Sequence, residues 1–264
     1  MTSRGESFFT DLFGLSGKTA VVVGGTGVLC GAMAKGLWQA GCNVALVGRS
    51  REKAEAHFTD WKASQEQVLF VQADVTKAEE LKAVIPAVLA KFGDIDIWIN
   101  GAGINSATPY LEIGEEEFER ILATNLTSVH LGCQAIGAHW LAQGRGGAII
   151  NMSSMSAIRP LSRVFTYSLT KAAVWNLTQN LAREWAAAGI RVNALCPGFF
   201  PAEQNRKILD PSRVETILNG TPMNRFGEKE ELTAATLLLA SDTAGSFITG
   251  SNLVVDGGFA AKAI

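Results

Sequence analysis

The sequence predicts an α/β fold: one doubly wound parallel sheet of about seven strands, with helices on both faces, in a single domain over residues 1–264. Three observations predict it. Short β-branched, nearly all-apolar runs recur along the chain, helix-period stretches lie between them, and a glycine-rich turn follows the first run. Strands apolar on both faces belong to sheets covered on both sides. Alternation of strand and helix builds right-handed crossovers between parallel neighbours.

Residues 1–15 form an N-terminal extension; the apolar run 8–13 is short and carries Asp11, which does not make a secretory signal. Strands are expected over 19–23, 43–47, 68–73, 95–100, 148–152, 191–196 and 252–255, and helices over 33–40, 78–91, 115–143 and 169–187 among others. The helices 115–143 and 169–187 are apolar enough to supply an interface as well as a core face, or to serve the sheet alone. Residues 199–219 have no clear period and follow a strand end, where ligands bind in such sheets, so 199–222 is a candidate substrate lid.

Composition narrows the function. With 23 basic and 25 acidic residues, a net charge of −2 and no long run of one sign, nucleic acid and anionic membranes are not expected partners. No window is long and apolar enough to span a bilayer. The four cysteines form no C-x-x-C pair and the three histidines no ligand-spaced cluster, so neither disulfides nor a metal is expected. A cytoplasmic protein is the expectation.

The first strand runs into Gly24-Gly25-Thr26-Gly27-Val28-Leu29-Cys30-Gly31 and then a helix. Glycines there let the backbone turn tightly against a pyrophosphate held at the helix N-terminus. The second strand ends in Gly48-Arg49-Ser50. An acid at this place would hold the ribose 2′-hydroxyl of NAD, whereas a guanidinium pairs with the 2′-phosphate of NADP. Arg49 therefore points to NADP(H) as the preferred cofactor with NAD(H) left open, or is a solvated surface residue. Tyr167 and Lys171, spaced by four, share a helix face. An ammonium beside a phenol favours the phenolate and so lowers the phenol pKa toward neutrality. Ser154 lies thirteen positions before Tyr167, after the fifth strand.

With Asp74-Val75, Asn100-Gly101-Ala102-Gly103, Asn125, Pro197-Gly198 and the terminal Val255-Asp256-Gly257-Gly258, these pieces resemble a single-domain short-chain dehydrogenase/reductase over essentially the whole chain. The resemblance implies a Rossmann-like fold and the catalytic set Asn125, Ser154, Tyr167 and Lys171. Tyr167 would move the proton while hydride passes between nicotinamide and a carbinol or carbonyl carbon. Ser154 would bind the substrate oxygen, Lys171 the nicotinamide ribose, and Asn125 a relay water. Gly24–Leu29, Arg49, Ser50, Asp74, Val75, Asn100, Gly101, Ala102, Pro197, Gly198 and Phe200 would line the cofactor, and a homotetramer is implied. The chain departs from the family turn at Val23, Val28 and Cys30, and from its threonine after Pro-Gly at Ala202.

A narrower likeness, carried by 154–163 and 197–206, is to the sugar-acid branch of mannonate/fructuronate oxidoreductases and gluconate 5-dehydrogenases. It implies a small polar substrate, a sugar acid or polyol, with a 3-oxoacyl thioester reductase or an idle cofactor-binding scaffold as alternatives. Arg159, Arg163 and Arg206 are candidates for binding a substrate carboxylate through a planar fork of donors. Otherwise Arg159 is a surface residue and Arg163 pairs with an acid.

Overall fold

In the computed structural model, which describes residues 4–200 and 210–262, strands run over Thr19–Val23 (β1), Asn43–Gly48 (β2), Val68–Gln72 (β3), Ile97–Asn100 (β4), Gly147–Met152 (β5), Ile190–Pro197 (β6) and Asn252–Val255 (β7). All pair in parallel, in the order β3-β2-β1-β4-β5-β6-β7. The order reverses between β1 and β4, so the turns leaving these two strands diverge and leave a crevice at their carboxyl ends.

Helices cover both faces: Arg4–Phe13 (α1), Val28–Gln39 (α2), Arg51–Trp61 (α3), Ala78–Lys82 (α4), Val84–Phe92 (α5), Glu115–Leu122 (α6), Ser128–Gln143 (α7), Phe165–Trp185 (α8), Pro211–Gly220 (α9) and Leu232–Ala240 (α10). Alternation along β1 divides the core. Val22 packs with Met33 and Leu37 of α2 and Leu232 and Leu239 of α10 on one face. Val21 and Val23 pack with Ile136 and Trp140 of α7 and Val174 of α8 on the other. Each such side chain, fully buried, contributes ~1.5–3 kcal/mol, which is why the strands read as unbroken apolar runs.

Three expectations differ. The stretch 78–91 breaks at Ala83 into α4 and α5. Pro86 has no N–H for the Lys82 carbonyl, and its ring crowds that turn. The stretch 115–143 is interrupted by a π-turn over Ala123–Thr127, with Asn125 inside it. The segment 199–219, expected without regular structure, contains α9. Asp210 caps it by accepting from the Arg213 N–H at 2.8 Å, and Pro211 occupies its first turn. Residues 201–209, including Ala202 and Arg206, lie outside the described residues.

Candidate active site

The glycine turn is held against the turn after β4. Gly24 has φ +77°, and a Cβ there would lie 2.7 Å from the Ala102 nitrogen. Its N–H donates to the Val47 carbonyl at 2.9 Å, while the Gly101 N–H donates to the Val23 carbonyl at 3.0 Å. Helix α2 then begins at Val28 with Gly27 as N-cap, no side-chain cap and no acid in its first turn. Leading N–H groups left open in this way suit an anion. Cys30 is accommodated because Gly101 has no side chain: a Cβ on Gly101 would come within 2.2 Å of the Cys30 sulfur. Burial pushes the Cys30 thiol up to about 11, so it is a neutral packing group.

A cleft of about 720 Å³ runs from this turn across the carboxyl ends of the strands. At one end it is lined by Gly48, Arg49, Ser50, Asp74 and Val75. Hydrogen bonds from Thr76, and after them the charge of Lys77, hold the Asp74 carboxyl below the usual range, and the exposed Arg49 is close enough to add to this. Gly48 is buried, and a Cβ there would meet the Thr26 hydroxyl at 2.8 Å, so a carboxylate at this position would displace Thr26. Ser50 also caps α3, accepting from the Lys53 N–H at 3.3 Å.

At the other end stand Ser154, Tyr167 and Lys171. Lys171 is 3% exposed, its Nζ donates to the Met152 carbonyl at 2.7 Å and lies 5.5 Å from the centre of the Tyr167 ring. Burial pulls its pKa down to about 8. Tyr167 differs from the sequence expectation: burial raises its phenol pKa, and a hydrogen bond with Ser154 opposes that without reversing it. The lysine that was to acidify the phenol is itself weakened as a cation by the same apolar surroundings.

Asn125 is wholly buried behind this wall. Its side chain accepts from the Ile104 N–H at 2.8 Å, donates to the Ile104 carbonyl at 2.8 Å, and donates to the Thr170 hydroxyl at 3.3 Å. Thr170 in turn donates to the Tyr167 carbonyl at 2.6 Å. Asn100, expected beside the cofactor, points into the core. It accepts from the Trp98 indole at 2.8 Å and donates to Asn151 at 2.9 Å, and the cleft wall is left to Gly101, Ala102 and Gly103. Gly25 is also behind the wall, whereas Thr26, Gly27, Val28, Leu29, Pro197, Gly198 and Phe200 line it. No group of three or more potential metal ligands occurs among the described residues.

The expected carboxylate binders are placed differently. Arg159 is exposed, with Nε and a terminal nitrogen donating to the Ala260 carbonyl at 3.0 and 2.6 Å, and it does not line the cleft. Arg163, exposed with φ +62°, does not line it either; its charge acts on Asp210. Arg206 lies outside the described residues. Arg120 and Arg213, which sequence reasoning missed, do line the cleft. The Asp210-Pro211 capping signal ahead of Arg213 was available in the sequence.

The family model described as enoyl-(acyl carrier protein) reductase matches residues 28–260. The chain belongs to the short-chain dehydrogenase/reductase family. It is 40% identical to the uncharacterized oxidoreductase UxuB of Bacillus subtilis, over 94% of this chain and 96% of that one. It is also 40% identical to 3beta-hydroxysteroid dehydrogenase 1 of Eggerthella lenta, over 92% and 94%. Among solved structures it resembles a gluconate 5-dehydrogenase from Burkholderia cenocepacia in complex with NADP and tartrate, with a TM-score of 0.89 and 32% identity over 97% of this chain and 100% of that one. As a short-chain dehydrogenase/reductase it is an NAD(P)-dependent oxidoreductase acting on alcohol and carbonyl groups. The cleft fits the cofactor on this chain's own geometry: an uncapped helix N-terminus, a glycine cradle with no room for a side chain, and a continuous groove from Arg49 to Tyr167. Among the described residues no helix is long and apolar enough to cross a membrane.

Proposed function

We propose that this chain interconverts a secondary alcohol and a carbonyl on a sugar acid or polyol, with NADP(H) as its preferred cofactor. The observation that carries the reading is one cleft with Arg49 at one end, Tyr167 and Ser154 at the other, and polar groups, among them Asn105, Ser156 and Arg213, along its walls. A bound nicotinamide supplies or accepts the hydride. In reduction the protonated Tyr167 phenol gives its proton to the substrate oxygen, and its raised pKa keeps that proton in place at neutral pH. Ser154 orients the same oxygen, Lys171 holds the nicotinamide ribose, and Asn125 fixes the wall behind them. Arg49 pairs with a 2′-phosphate, and Gly48 leaves no carboxylate to repel it. Residues 199–222 serve as the lid.

The proposed assembly is a cytoplasmic homotetramer. Exposed Phe118 on α6 and Phe165 and Leu169 on α8 supply apolar contact surface, and the four cysteines are buried thiols suited to a reducing compartment.

The test follows NADPH and NADH absorbance with keto sugar acids and ketoses, a 3-oxoacyl thioester and a ketosteroid. Turnover of sugar acids or ketoses with NADPH ahead of NADH is expected. A higher kcat/KM on the thioester or the steroid overturns the substrate reading.

A further inference from the structure

We infer that Arg213 selects an anionic substrate, its guanidinium pairing with the carboxylate of the hydroxy or keto acid whose reacting carbon lies at Tyr167. The inference rests on the sugar-acid reading above and names the residue that would carry it.

Arg213 sits in the first turn of α9, and Ile217, four residues on, shares its face. Both line the cleft together with Leu161, Val164 and Tyr167. Two hydrogen bonds fix the guanidinium: its terminal nitrogens donate to the Ser162 hydroxyl at 3.1 Å and the Ser162 carbonyl at 3.0 Å. That anchor brings it to the loop that ends at Val164, whose carbonyl accepts from the Ser168 N–H at 2.8 Å in the turn carrying Tyr167.

Its charge is unspent. Both partners are neutral, and Arg213 takes part in none of the ion pairs among the described residues. A guanidinium has five N–H donors, and two bonds to Ser162 leave donors for a planar carboxylate. Three of the competing cations are engaged elsewhere. Arg159 is tied to the Ala260 carbonyl, Arg49 stands by Asp74 at the far end of the cleft, and Lys171 donates to the Met152 carbonyl. Among the described residues, Arg120, on α6, is the remaining guanidinium lining the cleft and is the rival to test.

The experiment measures kcat/KM with NADP⁺ for D-gluconate and for the uncharged hexitol sorbitol. It compares the full-length protein with R213Q, R213K, S162A and R120Q, and follows NADP⁺ affinity by fluorescence as a check that the cofactor end is intact. R213Q is expected to lose about 30-fold or more on gluconate, mainly through KM, and nothing on sorbitol. R213K, which keeps the charge without the fork, should fall between. Equal losses on both substrates, as for a purely structural strap between α9 and Ser162, would overturn the inference. So would no loss on either, or a gluconate-specific loss in R120Q but not in R213Q. A wild type that oxidises sorbitol but not gluconate refutes the sugar-acid reading itself, before any variant is measured, and the inference falls with it.

Discussion

Lys171 offers the most quantitative test of the site. Its amine is buried, its pKa is drawn from 10.5 down to about 8, and the neighbouring Cys30 opposes this without reversing it. The folded chain therefore binds this proton less tightly than the unfolded chain, and the unfolded form holds the extra proton between pH 8 and 10.5. Stability must rise with pH through that window. A difference of about 2.5 pH units at 1.36 kcal/mol each makes the penalty about 3 kcal/mol at pH 7, and about 1 kcal/mol at pH 9.5. Lys171→Met removes the penalty but leaves the Met152 carbonyl without its donor, which costs about 1 kcal/mol at either pH. Without added cofactor, the variant should thus be about 2 kcal/mol more stable than wild type at pH 7 and nearly equal to it at pH 9.5. Urea unfolding followed by tryptophan fluorescence at the two pH values measures this. The change between them isolates the charge, because the hydrogen bond contributes equally to both. A variant advantage that is constant with pH, or larger at pH 9.5, would refute the claim that burial governs this lysine.

Three further outcomes are expected. Tyr167→Phe should lower turnover on the order of 10²–10⁴-fold while NADP⁺ affinity stays the same, because only the oxygen proposed to carry the proton is removed; steady-state kinetics and a cofactor titration check both halves. Arg49→Leu should weaken NADP⁺ binding and leave NAD⁺ binding nearly unchanged, and direct titration of both cofactors decides it. This single change is the cleaner test of cofactor choice, since an acid placed at Gly48 would strike Thr26. Gly24→Ala should destabilise the fold by at least ~1 kcal/mol from its left-handed backbone alone, and should also weaken cofactor binding, because the new methyl meets the Ala102 backbone; thermal unfolding with and without NADP⁺ separates the two effects.

The sheet was legible because its strands are buried on both faces, so hydrophobicity marks them without ambiguity. The glycine turn and the Tyr167–Lys171 spacing were legible for a related reason: each depends on local geometry within one segment. What escaped depends on partners distant in sequence. The π-turn at Asn125 is stabilised by Ile104 and Thr170, neither of which a helical period reveals. Asn100 was placed beside the cofactor by its motif, yet Trp98 and Asn151 draw its amide inward. Arg159 and Arg163 occupy the expected segment, but their directions are set by Ala260 and by a left-handed backbone, which no spacing rule conveys. The break at Pro86 and the cap at Asp210 are the exceptions, since both signals stood in the sequence.

Asn125 also couples parts of the molecule that are usually thought of separately. A continuous path of hydrogen bonds runs from the Ile104 backbone through the Asn125 amide and the Thr170 hydroxyl to the Tyr167 carbonyl. The loop after β4, which presents Asn105 to the cleft, is thereby yoked to the backbone that carries Tyr167. Grafting a different loop there would change the wall of the pocket and shift the phenol in the same stroke, so catalytic power and substrate range would drift together. Helix α9 meets the loop before Tyr167 through the Arg213–Ser162 clasp instead. Substitutions on that helix have a route to new specificity that leaves the chemistry where it is, and a search for altered substrate range would do best to begin there.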